Sequence, residues 1–286
     1  MSSGASSYEI VIEPSRRFGR VPWREMWEYR DLVTLLVRRD FSARYRQTLL
    51  GPLWHLVQPL LTTLVFAIVF ARIAGIPTDG VPAPLFYLSG LLGWNYFSQT
   101  VTQTGLTFVN NSHLFGKVFF PRMVVPAATS ISNLRNAALQ VLPLLVFFVY
   151  YRLKLGAMAI PLPGAPIILA PAAIFMLAML ALGIGLWMAA LTTRYRDLVH
   201  LNQFIVQLGM FASPVIFPIS AVGETWRWLL LAIPVAPPLE LLRFSLLGKG
   251  ATELMPLLAS FAVACILLFS GMIFFQSAAR TATDHA

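Results

Sequence analysis

Long apolar stretches without charge constrain this chain more than any other feature. Five stretches contain no Asp, Glu, Lys or Arg, at residues 47–71, 80–116, 155–193, 198–223 and 254–279. A sixth, 123–151, is interrupted only by Arg135. A helix needs about 20 mostly apolar residues to cross the hydrocarbon core of a membrane. The sequence therefore predicts an all-α integral membrane protein with six spans, near 54–72, 84–108, 127–151, 167–191, 199–218 and 255–276.

The composition agrees with this fold class. Of the 286 residues, 57% are hydrophobic and 12% are charged, whereas soluble domains carry about 25% charged residues. A soluble enzyme and a disordered chain are both excluded. The single cysteine, Cys265, excludes a disulfide framework and a cysteine-based metal site. The first residues, MSSGASSYEIVIEP, lack the basic and apolar regions of a cleavable signal peptide.

The basic residues predict the orientation of the spans. Six spans place both termini on one side, where 15 Lys and Arg residues would lie, against six on the other. The positive-inside rule then places residues 1–21, as a flexible N-terminus, and the tail 281–286 in the cytoplasm. The net charge of +9 therefore reflects topology and contact with anionic lipid, and no nucleic-acid partner is expected.

Residues 22–46 predict an amphipathic helix before the first span. At 100° per residue, Met26, Tyr29, Val33, Leu36, Val37 and Phe41 share one stripe. The opposite face mixes acidic and basic residues, so the helix is expected to lie in the cytoplasmic interface. It serves either as a lipid anchor or, as the mixed charges favour, as a docking surface for a cytoplasmic partner.

The connection between the fifth and sixth spans is unusual. Its apolar segments 226–236 and 239–247 are each too short to span, and Pro234, Pro237 and Pro238 break it. Short apolar helices of this kind predict a re-entrant or interfacial hairpin over 224–247 on the outer face. The alternative is an ordinary amphipathic loop.

The second span contains a row of polar residues on one helical face. Amides and hydroxyls inside a bilayer require partners, and the simpler interpretation is adhesion between helices. Because sugars stack on aromatic rings and hydrogen-bond to amides, the alternative is a transport pathway for a carbohydrate. The predicted lining residues are Tyr87, Trp94, Asn95, Phe97, Ser98, Gln99, Thr102 and Gln103 on the second span, with Asn202 and Gln207 on the fifth.

Two further features concern the binding of ATP and the arginine residues in and near the spans. The chain contains no phosphate-binding P-loop, so ATP could act only through a partner. Arg135 lies within the third span, where an ionisable residue is a functional candidate. The alternative is that it lies within two turns of the cytoplasmic surface and extends its guanidinium to water. With Arg44 and Arg46 it is predicted to line a cytoplasmic entrance, where guanidinium groups suit a pyrophosphate-linked lipid. The charges of the loop 192–198 either only set the orientation of the spans and form a local salt bridge, or they form a contact that passes the motion of a partner to the fourth and fifth spans.

Four segments resemble one family of membrane proteins. They are RRDFSARYRQTLLGPLWH at 38–55, NNSHLFGKVFFPRMVVP at 110–126, TTRYRDLVHL at 192–201 and ASPVIFPIS at 212–220. The segment IPVAPPLELLRFSLLG at 233–248 is similar to the family's outer hairpin, although Ile233 replaces its usual Asn. Together they resemble the membrane subunits of ABC-2 type exporters, in particular the polysaccharide branch for O-antigen, capsule and teichoic acid chains. The resemblance extends from about residue 24 to residue 280.

The resemblance implies an ATP-driven exporter of a lipid-linked polysaccharide in the bacterial inner membrane. Two copies of the chain would form a channel and bind two separate nucleotide-binding subunits, which would hold ATP and Mg²⁺. The chain itself would bind no cofactor or metal and would not be an enzyme. It implies coupling to the ATPase for Arg38, Arg39, Lys117, Arg122, Arg194, Arg196 and Asp197. It implies an outer gate for Pro214, Pro218, Glu240 and Arg243.

Two other functions are compatible with a polytopic membrane protein. An ion-coupled carrier usually has ionisable residues at mid-bilayer or repeated broken helices, and Arg135 alone gives it little support. A membrane-embedded glycosyl- or acyltransferase needs a cluster of titratable groups, but His55, His113, His200 and His285 are scattered.

Overall fold

The computed structural model describes residues 27–45, 51–111, 115, 120–156, 164–195, 197–250 and 253–281. Within these ranges the chain forms helices joined by short turns, and they contain no strand. The predicted all-α class is confirmed for this part of the chain. The predicted flexible N-terminus 1–21 and residues 282–286 of the tail lie outside the described residues.

The described residues form ten α-helices. In chain order they are α1 (Arg30–Tyr45), α2 (Trp54–Phe66), α3 (Ala83–Gly105), α4 (Thr107–Asn110), α5 (Val124–Leu155), α6 (Ala170–Thr192), α7 (Leu198–Phe211), α8 (Glu224–Leu231), α9 (Ala236–Leu247) and α10 (Leu254–Thr281). A π-helix, Ala67–Ile73, extends α2. Short 3₁₀ turns precede α2, α6 and α8.

Proline and glycine mark several helix ends. Pro84 lies in the first turn of α3, and Pro237 and Pro238 lie in the first turn of α9. Proline is tolerated there because the first N–H groups of a helix have no intrahelical acceptor. Helix α9 ends at Gly248, whose φ of 67° is left-handed, and glycine adopts this conformation without steric cost.

Four helical segments in the described part of the chain are long and apolar enough to cross a membrane. They are Gly51–Ile73, Val124–Leu155, Ala165–Thr192 and Leu254–Arg280. The pair α8 and α9 would make a fifth if counted as one span, although it is bent by 98°. The polar residues of α3 lower its hydropathy.

Helix α7 is shorter than the predicted span 199–218. It has 14 residues, about 21 Å at 1.5 Å per residue, which is less than the roughly 30 Å of a hydrocarbon core. It ends at Phe211, and the chain continues as turns through Pro214 and Pro218. Since proline has no N–H to donate, the helix does not continue through this segment.

Helix α6 lies at the centre of the bundle, packed against α3 and α10. Two glycines allow α6 and α10 to approach closely. A Cβ on Gly271 would lie 2.8 Å from the carbonyl oxygen of Gly183, and a Cβ on Gly183 would lie 2.8 Å from the backbone of Leu267. Small residues of this kind allow helices to pack tightly in membranes, where the hydrophobic effect adds little between helices.

Helix α1 packs on the start of α5. Leu36 is buried, and it forms an apolar cluster with Val124, Val125 and Ala128. Leu32, Val33 and Val37 pack around this cluster. The apolar stripe of the predicted amphipathic helix is thus covered at least partly by the protein itself, which leaves the charged face of α1 exposed.

Candidate transport pathway

One stripe of α3 is only half-buried, and it is entirely polar. Helix α3 has 23 residues; apart from Ala83 and Pro84 in its first turn, the residues that are not buried are Asn95, Ser98, Gln99, Thr102 and Gln103. Their spacing places them on a single helical face. We call these five residues the polar stripe. The structure brings together five of the predicted lining residues in this stripe.

Helix α5 lies along one side of the polar stripe and is joined to α3 by hydrogen bonds. Asn95 Nδ2 donates to Gln140 Oε1 over 3.0 Å. Asn133 Nδ2 donates to Thr100 Oγ1 over 3.3 Å, and the hydroxyls of Tyr96 and Ser130 are 2.9 Å apart. These bonds hold α3 and α5 in register.

The sequence interpretation missed the α5 residues of this contact. Gln140, Asn133 and Ser130 are all buried. A signal was present, because Asn133, Asn136 and Gln140 repeat at helical spacing within an apolar span. It identifies a polar face on α5, although not the helix that the face contacts.

Helix α7 lies along the other side of the polar stripe and runs antiparallel to α3. A Cβ on Gly105 would lie 2.9 Å from Asn202 Nδ2, and a Cβ on Gly209 would lie 3.1 Å from the ring of Trp94. Asn202 is therefore buried against the end of α3. The polar stripe is the floor of a groove between α5 and α7.

The exposed residues of α7 divide into two flanks. Relative to the side that contacts α3, Gln203 and Gln207 lie on one flank, and Leu201 and Leu208 lie on the other at 100° per residue. All four are exposed. Because α7 runs antiparallel to α3, the right-handed sense of both helices places the glutamine flank beside the polar stripe. The walls of the groove thus carry amides as well.

The aromatic residues predicted beside the stripe lie elsewhere in this conformation. Tyr87, Trp94 and Phe97 are 0%, 4% and 6% exposed. The ring of Tyr87 packs edge-on against Phe66, at 5.7 Å between centroids, and those of Trp94 and Phe97 are 5.4 Å apart. These three rings face the protein interior, so amides and hydroxyls form the surface of the groove.

Near the start of α3, a buried ion pair connects α9 to the turn that follows α7. Arg243 and Glu240 on α9 are both 0% exposed and hydrogen-bonded to each other. Arg243 also donates to the carbonyl of Pro214, and its guanidinium lies 4.0 Å from the ring centroid of Phe86 on α3. Pro218 is buried a few residues further on. Of the four predicted outer-gate residues, Pro214 and Pro218 thus lie in the turn after α7, and Glu240 and Arg243 lie on α9. Arg243 connects these two segments.

Apart from Arg122, the predicted coupling residues within the described ranges lie at exposed positions at the other end. Arg38 and Arg39 lie on the open face of α1, and Arg39 pairs with Asp40 over 2.9 Å. Arg194 and Asp197 are exposed before α7. The side chains of Lys117, Arg196, Arg44 and Arg46 lie outside the described residues.

Arg122 and Arg135 are more enclosed than the other basic residues. The guanidinium of Arg122 lies 5.6 Å from the ring centroid of Phe115, and partial burial lowers its pKa from the ordinary value, although arginine remains a cation. Arg135 is half-buried within α5, on the turn between Asn133 and Asn136. Arg135 thus places a guanidinium group beside the buried polar face of α5.

The fold and the groove define a class of protein. Apolar helices that can cross a membrane surround a row of half-buried amides and hydroxyls, which lipid would not solvate. This is the architecture of a multi-pass membrane transport protein.

Comparison with known proteins gives the family. Residues 31–247 match the family model for the ABC-2 type transporter, and the chain belongs to this family. It is similar to the O-antigen export system permease protein RfbA of Myxococcus xanthus, with 31% identity over 89% of this chain and 95% of the relative. It is also similar to a protein of that name from Klebsiella pneumoniae, with 25% identity over 72% of this chain and 76% of the relative.

Proposed function

We propose that this chain is the channel-forming subunit of an ATP-driven exporter that moves a lipid-linked polysaccharide across the bacterial inner membrane. The polar stripe of α3 is the observation that carries the proposal. Membership of the ABC-2 type transporter family and the names of both relatives support it. The substrate in this proposal is a chain of the O-antigen or teichoic-acid type.

Six spans, with both termini in the cytoplasm, fit the helices. Helices α3 and α7 add to the four long apolar segments, and the buried turn at 213–218 extends α7 outward. In this proposal the pair α8 and α9 is a re-entrant hairpin on the outer face, and its bend of 98° supports this over a straight span. The basic residues of α1 then face the cytoplasm.

A second copy of the chain completes the pathway. Amides exposed to lipid lose their hydrogen bonds at high cost, so the polar stripe must face water or protein. In a two-fold dimer the same surface of both subunits meets, which places two polar stripes around one central path. The amide walls contributed by Gln203 and Gln207 of α7 face the same space.

ATP and Mg²⁺ are bound by two separate nucleotide-binding subunits in this proposal. The exposed charges of α1, with Arg122 and the Arg194–Asp197 segment, form the surface that those subunits contact. Motion of α1 reaches the pathway through α5. Helix α1 packs on Val124 and Val125 of α5, and Gln140 of α5 accepts a hydrogen bond from Asn95 of the polar stripe. Arg135, with Arg44 and Arg46, receives the phosphate groups of the lipid carrier.

The proposal is tested by removing amides from the polar stripe. The variant with Gln99→Leu and Gln103→Leu is co-expressed with the ATPase partner, and surface glycan is measured relative to permease abundance. Export is expected to fall about tenfold or more, because two amide hydrogen bonds contribute about 1 kcal/mol each.

The matched control is Gln276→Leu, which removes an amide from α10, outside the groove. It is expected to export normally. Wild-type export by the stripe variant, at normal abundance, would contradict the proposal.

A further inference from the structure

Asp79, in the loop before α3, is an acidic residue to which the proposed function gives no role. It is the only Asp or Glu within residues 41–196. Asp79 and Gly80 have φ angles of 52° and 72°, and the N–H of Val81 donates to the carbonyl of Thr78 over 2.9 Å. Two left-handed central residues closed by this bond make a tight turn. The turn holds the carboxylate of Asp79 at a fixed position.

The carboxylate of Asp79 connects the loop before α3 to the turn after α7, which comprises residues 212–222. Ser220 Oγ donates to Asp79 Oδ1 over 2.5 Å, although the two residues are 141 positions apart in the chain. Arg243 of α9 attracts the same carboxylate electrostatically and donates to the carbonyl of Pro214. Two polar contacts therefore hold the turn after α7, one made by Asp79 and one made by Arg243.

These two contacts differ in their exposure to water. Arg243 is 0% exposed and paired with Glu240, so separating it from its partners would leave a buried charge uncompensated. Ser220 is exposed and Asp79 is half-buried, so water can replace the hydrogen bond between them. The contact of Asp79 with Ser220 is therefore the one that can open and close at low cost.

Of the two walls of the groove, α7 is held less firmly within the chain. Asn202 is the only buried residue of α7, whereas 14 residues of α5 are buried. Three side-chain hydrogen bonds fix α5 to α3, and among the residues that the structure describes none joins α7 to α3. The turn after α7 is fastened to the helix, since Ser213 Oγ donates to the carbonyl of Met210 over 2.9 Å. Segments with few buried contacts move most readily, so α7 and this turn form the movable wall.

A polymer needs more room than the groove offers in this conformation. The residues of the polar stripe are half-buried, so part of each amide is covered. A sugar ring that hydrogen-bonds to several of these amides needs them exposed. One wall of the groove must therefore move when a polysaccharide passes.

We propose that Asp79 is a positioning residue of the transport pathway. Its contact with Ser220 holds the turn after α7, and α7 with it, in the conformation that covers the polar stripe. The contact parts while a polysaccharide passes and forms again afterwards. This inference rests on the proposed function and adds to it a residue that sets the position of one wall.

The first test fastens the contact with a reversible cross-link. In a background with Cys265→Ser, Asp79→Cys and Ser220→Cys are combined, and the complete exporter with its ATPase partner is treated with a short bifunctional methanethiosulfonate. Export of lipid-linked glycan is expected to fall at least about tenfold once the two thiols are linked, because a wall that cannot move stops turnover. Reduction of the cross-link should restore export.

The matched controls are the two single-cysteine variants, which the reagent modifies but cannot link, and which should continue to export. Unchanged export by the linked double variant would overturn the inference. A double variant that stays inactive after reduction would also overturn it, because loss of the contact should not stop transport. Absence of export in the Cys265→Ser parent would instead contradict the proposed function, and the inference with it.

The second test measures how far the groove opens when the contact is missing. Asp79→Ala is combined with Gln99→Cys and Cys265→Ser, and the thiol is treated with a charged, membrane-impermeant maleimide in the absence of nucleotide. The reaction is expected to accelerate by about two- to tenfold, the change in an equilibrium that corresponds to one lost hydrogen bond. Asp79→Asn retains an acceptor oxygen and should restore most of the slower rate.

Glu224→Ala is the matched control, since it removes an exposed carboxylate from α8, and it should leave the reaction rate unchanged. Ser220→Ala should accelerate the reaction as much as Asp79→Ala does. The two changes together should do no more than either alone, as expected for two partners of one contact. Equal rates with Asp79→Ala and with the wild-type residue, at normal permease abundance, would overturn the inference.

Discussion

The buried pair of Arg243 and Glu240 permits a quantitative test of how α9 is held against α3 and the turn after α7. Both side chains are 0–1% exposed, and Arg243 also contacts the carbonyl of Pro214 and the ring of Phe86. Removing one partner of a buried ion pair leaves an uncompensated charge, which costs about 3–5 kcal/mol. Arg243→Met should therefore lower the midpoint of thermal unfolding of the purified exporter by about 6–10 °C.

A second arginine provides the matched control. Arg227 on α8 pairs with Glu253, but these side chains are 36% and 33% exposed. An exposed pair contributes about 0–1 kcal/mol, so Arg227→Met should shift the midpoint by no more than about 2 °C. Both variants are measured by tryptophan fluorescence in the same detergent.

A double variant separates the charge from the packing. The combination of Glu240→Leu with Arg243→Met removes both charges, and it should be less destabilised than Arg243→Met alone because no buried charge remains unpaired. Equal shifts for Arg243→Met and Arg227→Met would refute the reasoning. The reasoning would also be refuted if the unfolding midpoint of the double variant fell by as much as the sum of the shifts of its two single variants.

The close helix contacts lead to two further predictions. Gly271→Val should destabilise the protein by about 1–3 kcal/mol, since its Cβ would lie 2.8 Å from a backbone oxygen of α6. Gly223→Ala, with nothing within 4 Å of its Cβ, is the control in the same thermal assay, and equal stability of the two variants would contradict this packing. Leu36→Ala should release α1 from α5 and cost about 2–5 kcal/mol, with faster proteolysis within α1 as the measurement. Leu35→Ala, at a position 60% exposed, should leave proteolysis unchanged, and equal protection of both variants would argue against docking of α1.

The sequence predicts the helical class and most helix positions because charge-free apolar stretches and proline positions are local signals. The row from Asn95 to Gln103 is also local, since residues three and four apart share a helix face. The same spacing does not reveal which side of α3 is covered. For this reason the aromatic side chains of Tyr87, Trp94 and Phe97 were expected beside the row, whereas the structure places them in the interior.

Contacts between residues that are far apart in the chain could not be predicted from these local sequence patterns. The hydrogen bond from Asn95 to Gln140 joins residues 45 positions apart, and the contact of Arg243 with Pro214 involves a backbone carbonyl. A single sequence contains no signal for a backbone partner. The end of α7 at Phe211 was also missed, because the apolar run continues to Pro218 although the helix ends three residues before Pro214.

Access of water to the polar stripe is the most direct measurement of whether α3 lines a transport pathway. In a background with Cys265→Ser, Gln99→Cys places one thiol in the stripe, and Val146→Cys places one at a position on α5 that is 67% exposed and surrounded by apolar residues. The complete exporter is treated with a charged, membrane-impermeant maleimide. The thiol at position 99 should react at least about ten times faster than the thiol at position 146, because thiolates form in water and not in lipid. Equal reaction rates at the two positions, or no reaction at position 99 in any nucleotide state, would show that α3 does not line an aqueous path.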